Sequence, residues 1–219
     1  MKRRMMLLIM IVLVLWLPMN VKATEEAVIE GDWIINDPLA SLDLEEDTLV
    51  TGNLILEDMN SLDVFDCTLH IKGDFIINNL NFENKVYNSK VIVDGDVIFN
   101  SPGARMVVAE NGSFEVGGKM TSSMEVSIAV GSAFHVKGDY LQENCKLEIY
   151  DKCDVSFGGD LCARGEENGA QTASIDIFSD ATVKGDVIVE EDANAIFWDD
   201  SVLTVDGNIM VDTPSDRGV

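Results

Sequence analysis

The residues best suited to chemistry are acidic side chains that flank a recurrent glycine, with lysines beside other copies of the same glycine. The candidates are Asp94, Asp96, Asp139, Asp160, Lys137 and Lys184. Carboxylates stacked on neighbouring turns of a repeat could serve as an acid/base pair or share a cation. Asp oxygens are also suitable calcium ligands, so the four aspartates are the candidate calcium residues.

The aspartates recur along the whole chain, whereas a catalytic site would be a local exception. Gly-Asp and Gly-Asn pairs favour turns, because glycine reaches positive φ and Asx side chains bond nearby backbone; a bend inside a strand is the alternative. The chain has no EF-hand loop, calcium β-roll motif, zinc-protease motif, hydrolase elbow or phosphate-binding loop. We therefore interpret the column as turn residues and predict no catalytic residue and no organic cofactor.

A few other side chains could bind a ligand. His70 and His135 are 65 residues apart, which corresponds to three repeats, so we expect them to face outward and not to share a metal. Trp33, Phe197 and Trp198 could form a sugar platform, although the position of Trp33 in the repeat predicts a core residue.

The glycine that organises these residues marks an internal repeat. Its nine copies are Gly31, Gly52, Gly73, Gly95, Gly118, Gly138, Gly159, Gly185 and Gly207. Their spacings are 21, 21, 22, 23, 20, 21, 26 and 22 residues, and the positions two before and two after each glycine are apolar in all nine copies. Small residues recur six positions before the glycine and predict a tight inner corner.

Alternation of apolar and polar residues around the glycine predicts strands with one buried face. A second alternating stretch follows about ten residues later, as in Val126-Ser127-Ile128, so each repeat should hold two or three short strands. Such a unit cannot bury its own apolar face, but stacked copies can. We predict an all-β, single-stranded β-helix of about nine coils, roughly 43 Å long at the strand spacing. An Ig-like sandwich would not keep the same residue type in each column.

The termini read differently from the repeats. Lys2, Arg3 and Arg4, the apolar run 5–17 and the small residues of Val21-Lys22-Ala23 have the order of a secretory signal peptide, residues 1–23. An uncleaved anchor is the alternative, although thirteen apolar residues are short for a membrane span. We assign residues 24–211 to the solenoid and 212–219 to a polar tail, and we expect secretion or a cell-surface location.

The composition is strongly acidic, with a formal charge of −24. Removal of residues 1–23 takes away four cations and leaves 11 basic and 39 acidic residues, a charge of −28. Such a surface repels nucleic acid and anionic lipid headgroups, so we predict no nucleic-acid partner and no membrane span after cleavage.

The four cysteines are too few for a disulfide scaffold and match no zinc spacing. Cys67 and Cys153 share a column four coils apart, roughly 19 Å at the strand spacing, and should not pair. Any disulfide should join two of Cys145, Cys153 and Cys162.

The apolar-x-Gly-Asp-apolar repeat behind a signal peptide resembles secreted bacterial β-solenoid, adhesin-like proteins. It is more loosely similar to the polymer-forming bactofilins, which are as a rule cytoplasmic and have a shorter coil. The coil length here is nearer the pectate-lyase type of right-handed β-helix, which implies a right-handed coil. The resemblance covers residues 27–211 and carries over no functional residue.

Three functional hypotheses remain open at this point. The first is a non-enzymatic structural or adhesion module, with a cell-surface polysaccharide or protein as partner. The second is a polysaccharide-binding or polysaccharide-degrading β-helix, which a local cluster of Asp with Lys or Arg in a groove would favour. The third is a subunit that polymerises end to end through its terminal coils, whose open strand edges are templates for pairing.

Overall fold

The computed structural model describes residues 26–166, 172–198 and 200–212. The predicted signal peptide at 1–23 and all but the first residue of the predicted tail at 212–219 lie outside them. The described residues form strands and connecting bends, without a helix of a length and apolarity that would cross a membrane.

There are 26 short strands. In chain order they are β1 (Ala27–Ile29), β2 (Trp33–Asn36), β3 (Ser41–Leu44), β4 (Thr48–Val50), β5 (Leu54–Asp58), β6 (Ser61–Phe65), β7 (Thr68–Ile71), β8 (Phe75–Ile77), β9 (Glu83–Tyr87), β10 (Lys90–Val93), β11 (Val97–Phe99), β12 (Arg105–Ala109), β13 (Ser113–Val116), β14 (Met120–Ser122), β15 (Glu125–Ile128), β16 (Ala133–Val136), β17 (Tyr140–Glu143), β18 (Lys146–Ile149), β19 (Asp154–Phe157), β20 (Leu161–Arg164), β21 (Ser174–Ile177), β22 (Ala181–Val183), β23 (Val187–Glu190), β24 (Asn194–Phe197), β25 (Leu203–Val205) and β26 (Ile209–Asp212).

Every third strand belongs to the same parallel sheet. Sheet A runs from β1 through β4 and onward to β25, sheet B from β2 to β26, and sheet C from β3 to β24; they contain nine, nine and eight strands. Each of the first eight coils contributes one strand to each sheet, and the described part of the ninth contributes β25 and β26 to sheets A and B. This arrangement confirms the β-solenoid of about nine coils. The prediction of right-handedness stays a prediction.

The core is the interior of the coil. Columns two before and two after the glycine point inward, and in the middle coils residues such as Val136 and Tyr140 are 1% and 0% exposed. Neighbouring aromatic rings meet there edge to face, for example Phe75 and Phe99 with centroids 5.4 Å apart. Burial at every coil explains why the apolar columns persist through all nine repeats.

The column six before the glycine forms the predicted tight inner corner. Ser89 and Ser179 are each 6% exposed, and the hydroxyl of Ser179 accepts the backbone N–H of Cys153 at 3.0 Å. Just before this corner several non-glycine residues adopt positive φ, including Asp66 at 54° and Lys152 at 60°. Left-handed backbone therefore occurs at this corner more often than at the glycine column.

All four cysteines are free thiols, and Cys67 and Cys153 are buried. The Cys153 thiol lies 3.2 Å from the carbonyl of Ala129 one coil earlier. Burial raises the pKa of the Cys153 thiol, which keeps it protonated and disfavours attack on a disulfide. The strand register places Cys67 and Cys153 in one column four coils apart, as predicted.

Candidate functional site

The recurrent glycine lies in the bend between sheets A and B, where successive backbones are in direct contact. Each glycine N–H donates to the carbonyl of the glycine one coil earlier, at 2.8–3.2 Å. Of the nine, only Gly31 has positive φ, at 80°, so a turn with left-handed glycine fits that copy, and the alternative of a bend describes the other eight. Glycine recurs in this column because neighbouring coils approach too closely for a side chain. For example, a Cβ at Gly159 would lie 2.8 Å from the Asp139 nitrogen and would overlap Asp139 Oδ1.

The residue after the glycine forms a second ladder. In seven of the eight steps between coils its side-chain Oδ1 accepts the backbone N–H of the equivalent residue one coil later, at 2.6–3.1 Å. The remaining step starts at Lys119, which has no carboxylate and instead places its Nζ 2.8 Å from Asp139 Oδ2. Candidate residues Asp96, Asp139 and Asp160 all belong to this ladder, which confirms their interpretation as structural bend residues.

Asp94 is the exception, because it points outward from the bend onto the face of sheet A. Its Oδ1 lies 3.1 Å from His70 Nε2, and its Oδ2 lies 3.1 Å from Lys72 Nζ. Asp94 also lines a small surface cavity of about 260 Å³ together with Glu115 and Lys137. The structure therefore brings Asp94 and Lys137 to one place; Lys184 is exposed and lies on a later coil.

This charged groove, lined by Asp94, Glu115 and Lys137, is the local cluster that would favour an enzyme. The pKa values of its two carboxyls, Asp94 and Glu115, are both lowered. The hydrogen bond from His70 lowers the pKa of Asp94, and Lys90, 2.6 Å from Glu115, lowers the pKa of that carboxyl against the opposing effect of burial. A glycosidase acid needs a raised pKa so that it holds a proton near neutral pH. Both carboxyls here are held ionised.

The calcium candidates are divided between two settings. Asp94 faces the groove, whereas Asp96, Asp139 and Asp160 are in the ladder with one oxygen bonded to backbone. Across the residues that the structure describes, no group of three or more His, Cys, Asp or Glu side chains is placed to hold a metal ion. Calcium binding at these aspartates stays a prediction.

The two histidines lie on the outer face of sheet A, as predicted. In the strand register of sheet A, His70 pairs with Ile92, Ile92 with Glu115 and Glu115 with His135. The two histidines are therefore three coils apart. His135 has its own partners, with Nδ1 2.8 Å from Ser156 Oγ.

The three residues proposed as a sugar platform are not brought together. Trp33, in the first coil, and Phe197, in the eighth, are partly buried against the core. Trp198 instead points outward and is 46% exposed.

Trp198 belongs to an aromatic column that the sequence reading missed. Its ring stacks on Phe178 with centroids 4.7 Å apart and planes 11° from parallel, and Phe178 stacks on Tyr150 at 6.0 Å and 10°. Each of these residues directly follows the last inward residue of a strand in sheet C. That shared position was a usable signal, but the rings follow their glycines by 12, 19 and 13 residues, so alignment on the glycine hides it.

Sheet B carries a stripe of apolar side chains on its outer face, one residue wide. In register along the rod they are Ile34, Ile55, Ile76, Ile98, Thr121, Leu141, Cys162, Ile188 and Met210. The Asx ladder lies on one side of the stripe, and a largely polar column lies on the other. The stripe is narrow for a stable interface, which usually needs about 800 Å² on each partner.

Basic residues are confined to the middle of the rod. Between residues 26 and 71 there are twelve acidic residues and no Lys or Arg, and between 185 and 212 there are eight acidic residues and no Lys or Arg. The intervening cations form ion pairs such as Lys146 with Asp176 and Arg164 with Glu190. Both end regions are therefore uniformly negative.

Comparison with known proteins gives no relative: no protein-family model, curated protein or solved structure matches this chain.

Proposed function

We propose that this protein is a non-enzymatic structural or adhesion module that acts outside the cell, as a rigid acidic rod. The observation that carries the proposal is the use of the recurrent aspartates. In seven of eight steps the carboxylate or amide oxygen is bonded to the backbone of the next coil, which assigns the most regular polar feature of the sequence to holding coils together.

The charged groove supports the same proposal. Its two carboxyls have lowered pKa values and lysine partners, and both side chains are more than a third exposed. Exposed ion pairs of this kind contribute little to stability, and they keep an acidic surface soluble. The signal peptide predicted from the sequence of residues 1–23 supports the proposal of an extracellular location.

Two measurements test the proposal, one of enzymatic activity and one of location. The purified protein is incubated with neutral and acidic polysaccharides, and new reducing ends and unsaturated products are measured. We expect none, and we expect the protein in the medium or accessible to added protease on intact producing cells. Product formation that Asp94→Asn abolishes and Asp154→Asn does not would overturn the non-enzymatic proposal. Retention inside the cell would overturn the proposed location.

A second candidate function is end-to-end assembly, and a specific observation favours it. Ile209 and Val211 occupy inward columns, where the equivalents one coil earlier, Val187 and Val189, are 1% and 7% exposed. In the described residues Ile209 and Val211 are 63% and 62% exposed. At the opposite end, a cavity of about 560 Å³ is lined partly by Ile29 and Trp33.

Another copy whose first coil continued the register would cover these apolar side chains. The test is analytical ultracentrifugation of the protein and of Val211→Asp in high salt. We expect the parent to form concentration-dependent oligomers and the variant to be monomeric, with Val28→Asp, an outward residue of the first coil, as the matched surface control. Equal association of parent and Val211→Asp would remove this candidate.

A further inference from the structure

We infer that the aromatic column formed by Tyr150, Phe178 and Trp198, together with its polar neighbours on sheet C, is a binding site for a neutral polysaccharide. The inference is independent of end-to-end assembly. It goes beyond a structural role by naming a surface and a ligand class.

The first argument is the exposure of the aromatic rings. Tyr150 is 37% exposed and Trp198 46% exposed, whereas inward-facing rings such as Phe134 and Phe157 are almost fully buried. Rings left in water lose the hydrophobic stabilisation that burial would give. Trp198 is also the last ring of the stack among the described residues, because sheet C ends there at β24.

The second argument is the polar cluster beside the stack. Tyr150 donates its hydroxyl to Glu148 Oε2 at 2.8 Å, and Lys146 Nζ lies 2.8 Å from both Glu148 Oε1 and Asp176 Oδ2. Asp176 is 8% exposed, and its second oxygen, Oδ1, is buried without a hydrogen-bond partner. An unpaired buried acceptor is costly and is compensated when a donor reaches it.

These two features have the chemistry that sugars require. The C–H face of a pyranose ring is attracted to the negative face of an aromatic ring, and its hydroxyl groups donate to carboxylates and accept from Lys and Tyr. The column rises at one ring per coil, with centroid separations of 6.0 and 4.7 Å, so it presents contacts at a regular interval to a regular polymer. One sugar ring packs against the exposed part of the Trp198 ring, and its neighbours follow the ring edges toward Tyr150 and Glu148.

Charge selects a neutral polymer over an anionic one. The chain after residue 23 has a formal charge of −28. Lys146 is already shared between two carboxylates. Lys152 lines a cavity beside Phe178 whose lining also includes four acidic residues, Asp151, Asp154, Asp180 and Asp200. A polyuronate or sulfated glycan would meet net repulsion.

The test is affinity gel electrophoresis of the full secreted chain in 0.15 M salt, with hydroxyethyl cellulose and barley β-glucan as neutral probes and polygalacturonate as the anionic probe. We expect retardation by at least one neutral probe and none by polygalacturonate. Tryptophan emission, which comes from Trp33 and Trp198 after removal of residues 1–23, should shift on titration with the same probe. The shift should persist in Trp33→Phe.

Variants separate the site from general effects. Trp198→Ala should weaken retardation about tenfold, which corresponds to about 1.4 kcal/mol. Tyr150→Phe, which keeps the ring and removes the hydroxyl, should weaken it less. Phe65→Ala is the matched control, because Phe65 occupies the same column in an early coil and contacts only Tyr87 among aromatic rings; it should bind normally.

Three outcomes would overturn the inference: no retardation by either neutral probe, undiminished retardation of a folded Trp198→Ala, or equal loss in Phe65→Ala. None of these outcomes bears on whether the protein cleaves polysaccharides, so this inference and the non-enzymatic proposal fail separately.

Discussion

Substitution of Gly159 by alanine should destabilise the rod, although the residue is neither catalytic nor in left-handed backbone. The added Cβ would lie 2.8 Å from the backbone nitrogen of Asp139 and from the carbonyl carbon of Gly138, and it would overlap Asp139 Oδ1. Two of these atoms belong to the backbone of the preceding coil, which is fixed by hydrogen bonds on both sides, so they cannot move away as the end of a flexible side chain would.

The magnitude follows from two contributions. Overpacking against fixed atoms costs about 1–3 kcal/mol. Displacing the Asp139 carboxylate weakens its bond from the Asp160 N–H, at 3.1 Å, and hydrogen bonds to charged groups contribute about 1.5–3 kcal/mol. We expect a loss of about 3 kcal/mol, which lowers Tm by roughly 6–12 °C in a domain of this size.

The assay is urea unfolding followed by far-ultraviolet circular dichroism, with Gly31→Ala as the matched control. Gly31 has positive φ, at 80°, but its Cβ would meet nothing within 4 Å, so only the left-handed penalty of about 1–2 kcal/mol applies. Asp139→Ala combined with Gly159→Ala should cost less than the sum of the single changes, because the overlap with Oδ1 disappears. If Gly159→Ala cost no more than Gly31→Ala, close approach of the coils would not be the reason for the column.

Three further outcomes test other parts of the structure. Val136→Asp should lower the unfolding free energy by several kcal/mol because it buries an unpaired charge. Lys137→Asp, on the exposed side of the same strand end, should change the unfolding free energy little. An equal loss of stability for both variants in urea unfolding would mean that the inside and outside columns are misassigned. The pKa of Asp94 is lowered by His70 and then by Lys72, so the ionised Asp94 stabilises the folded state above the ordinary value of 3.8, and this stabilisation is lost as pH falls through the lower folded pKa. Carboxyl NMR titration should show the pKa of Asp94 rising in His70→Ala. An unchanged pKa in that variant would refute the assigned cause. The uniformly acidic ends should keep the protein monomeric at low salt and allow association in high salt or millimolar calcium, because screening shortens repulsion to about 10 Å at 0.1 M; light scattering that stays monomeric throughout would contradict the assembly prediction.

The fold was predictable because the same physical requirement recurs in each coil. An inward residue two before the glycine must be apolar at every repeat, and Val136 and Val183 show this in sequence and structure alike. The aromatic column was not predictable from the glycine alignment, because the number of residues between the glycine and sheet C varies from coil to coil. Stacking of Phe178 on Trp198 depends on strand register, which pairs Ile177 with Phe197.

The glycine column shows a different limit. Sequence reasoning attributed it to backbone conformation, since isolated Gly-Asp pairs are common in turns. The glycine column is actually required by contacts between residues 20 to 26 positions apart, such as Gly159 with Asp139. A pattern of neighbouring residues in the sequence does not show such contacts. The pairing of Asp94 with His70 was hidden for the same reason.

The hydrogen-bonded surface between one coil and the next is nearly the same along the rod. The number of coils, and with it the length of the rod, can therefore change without a change in the outer surface of the remaining coils. Excising residues 118–137 would join Gly117 to Gly138 and place Asp139 directly after Asp96 in the ladder, which also removes the one interruption at Lys119. The product would be shorter by one rung of about 4.8 Å. The length of the rod can therefore be altered by gain or loss of a whole coil, while each remaining outer face keeps its own chemistry.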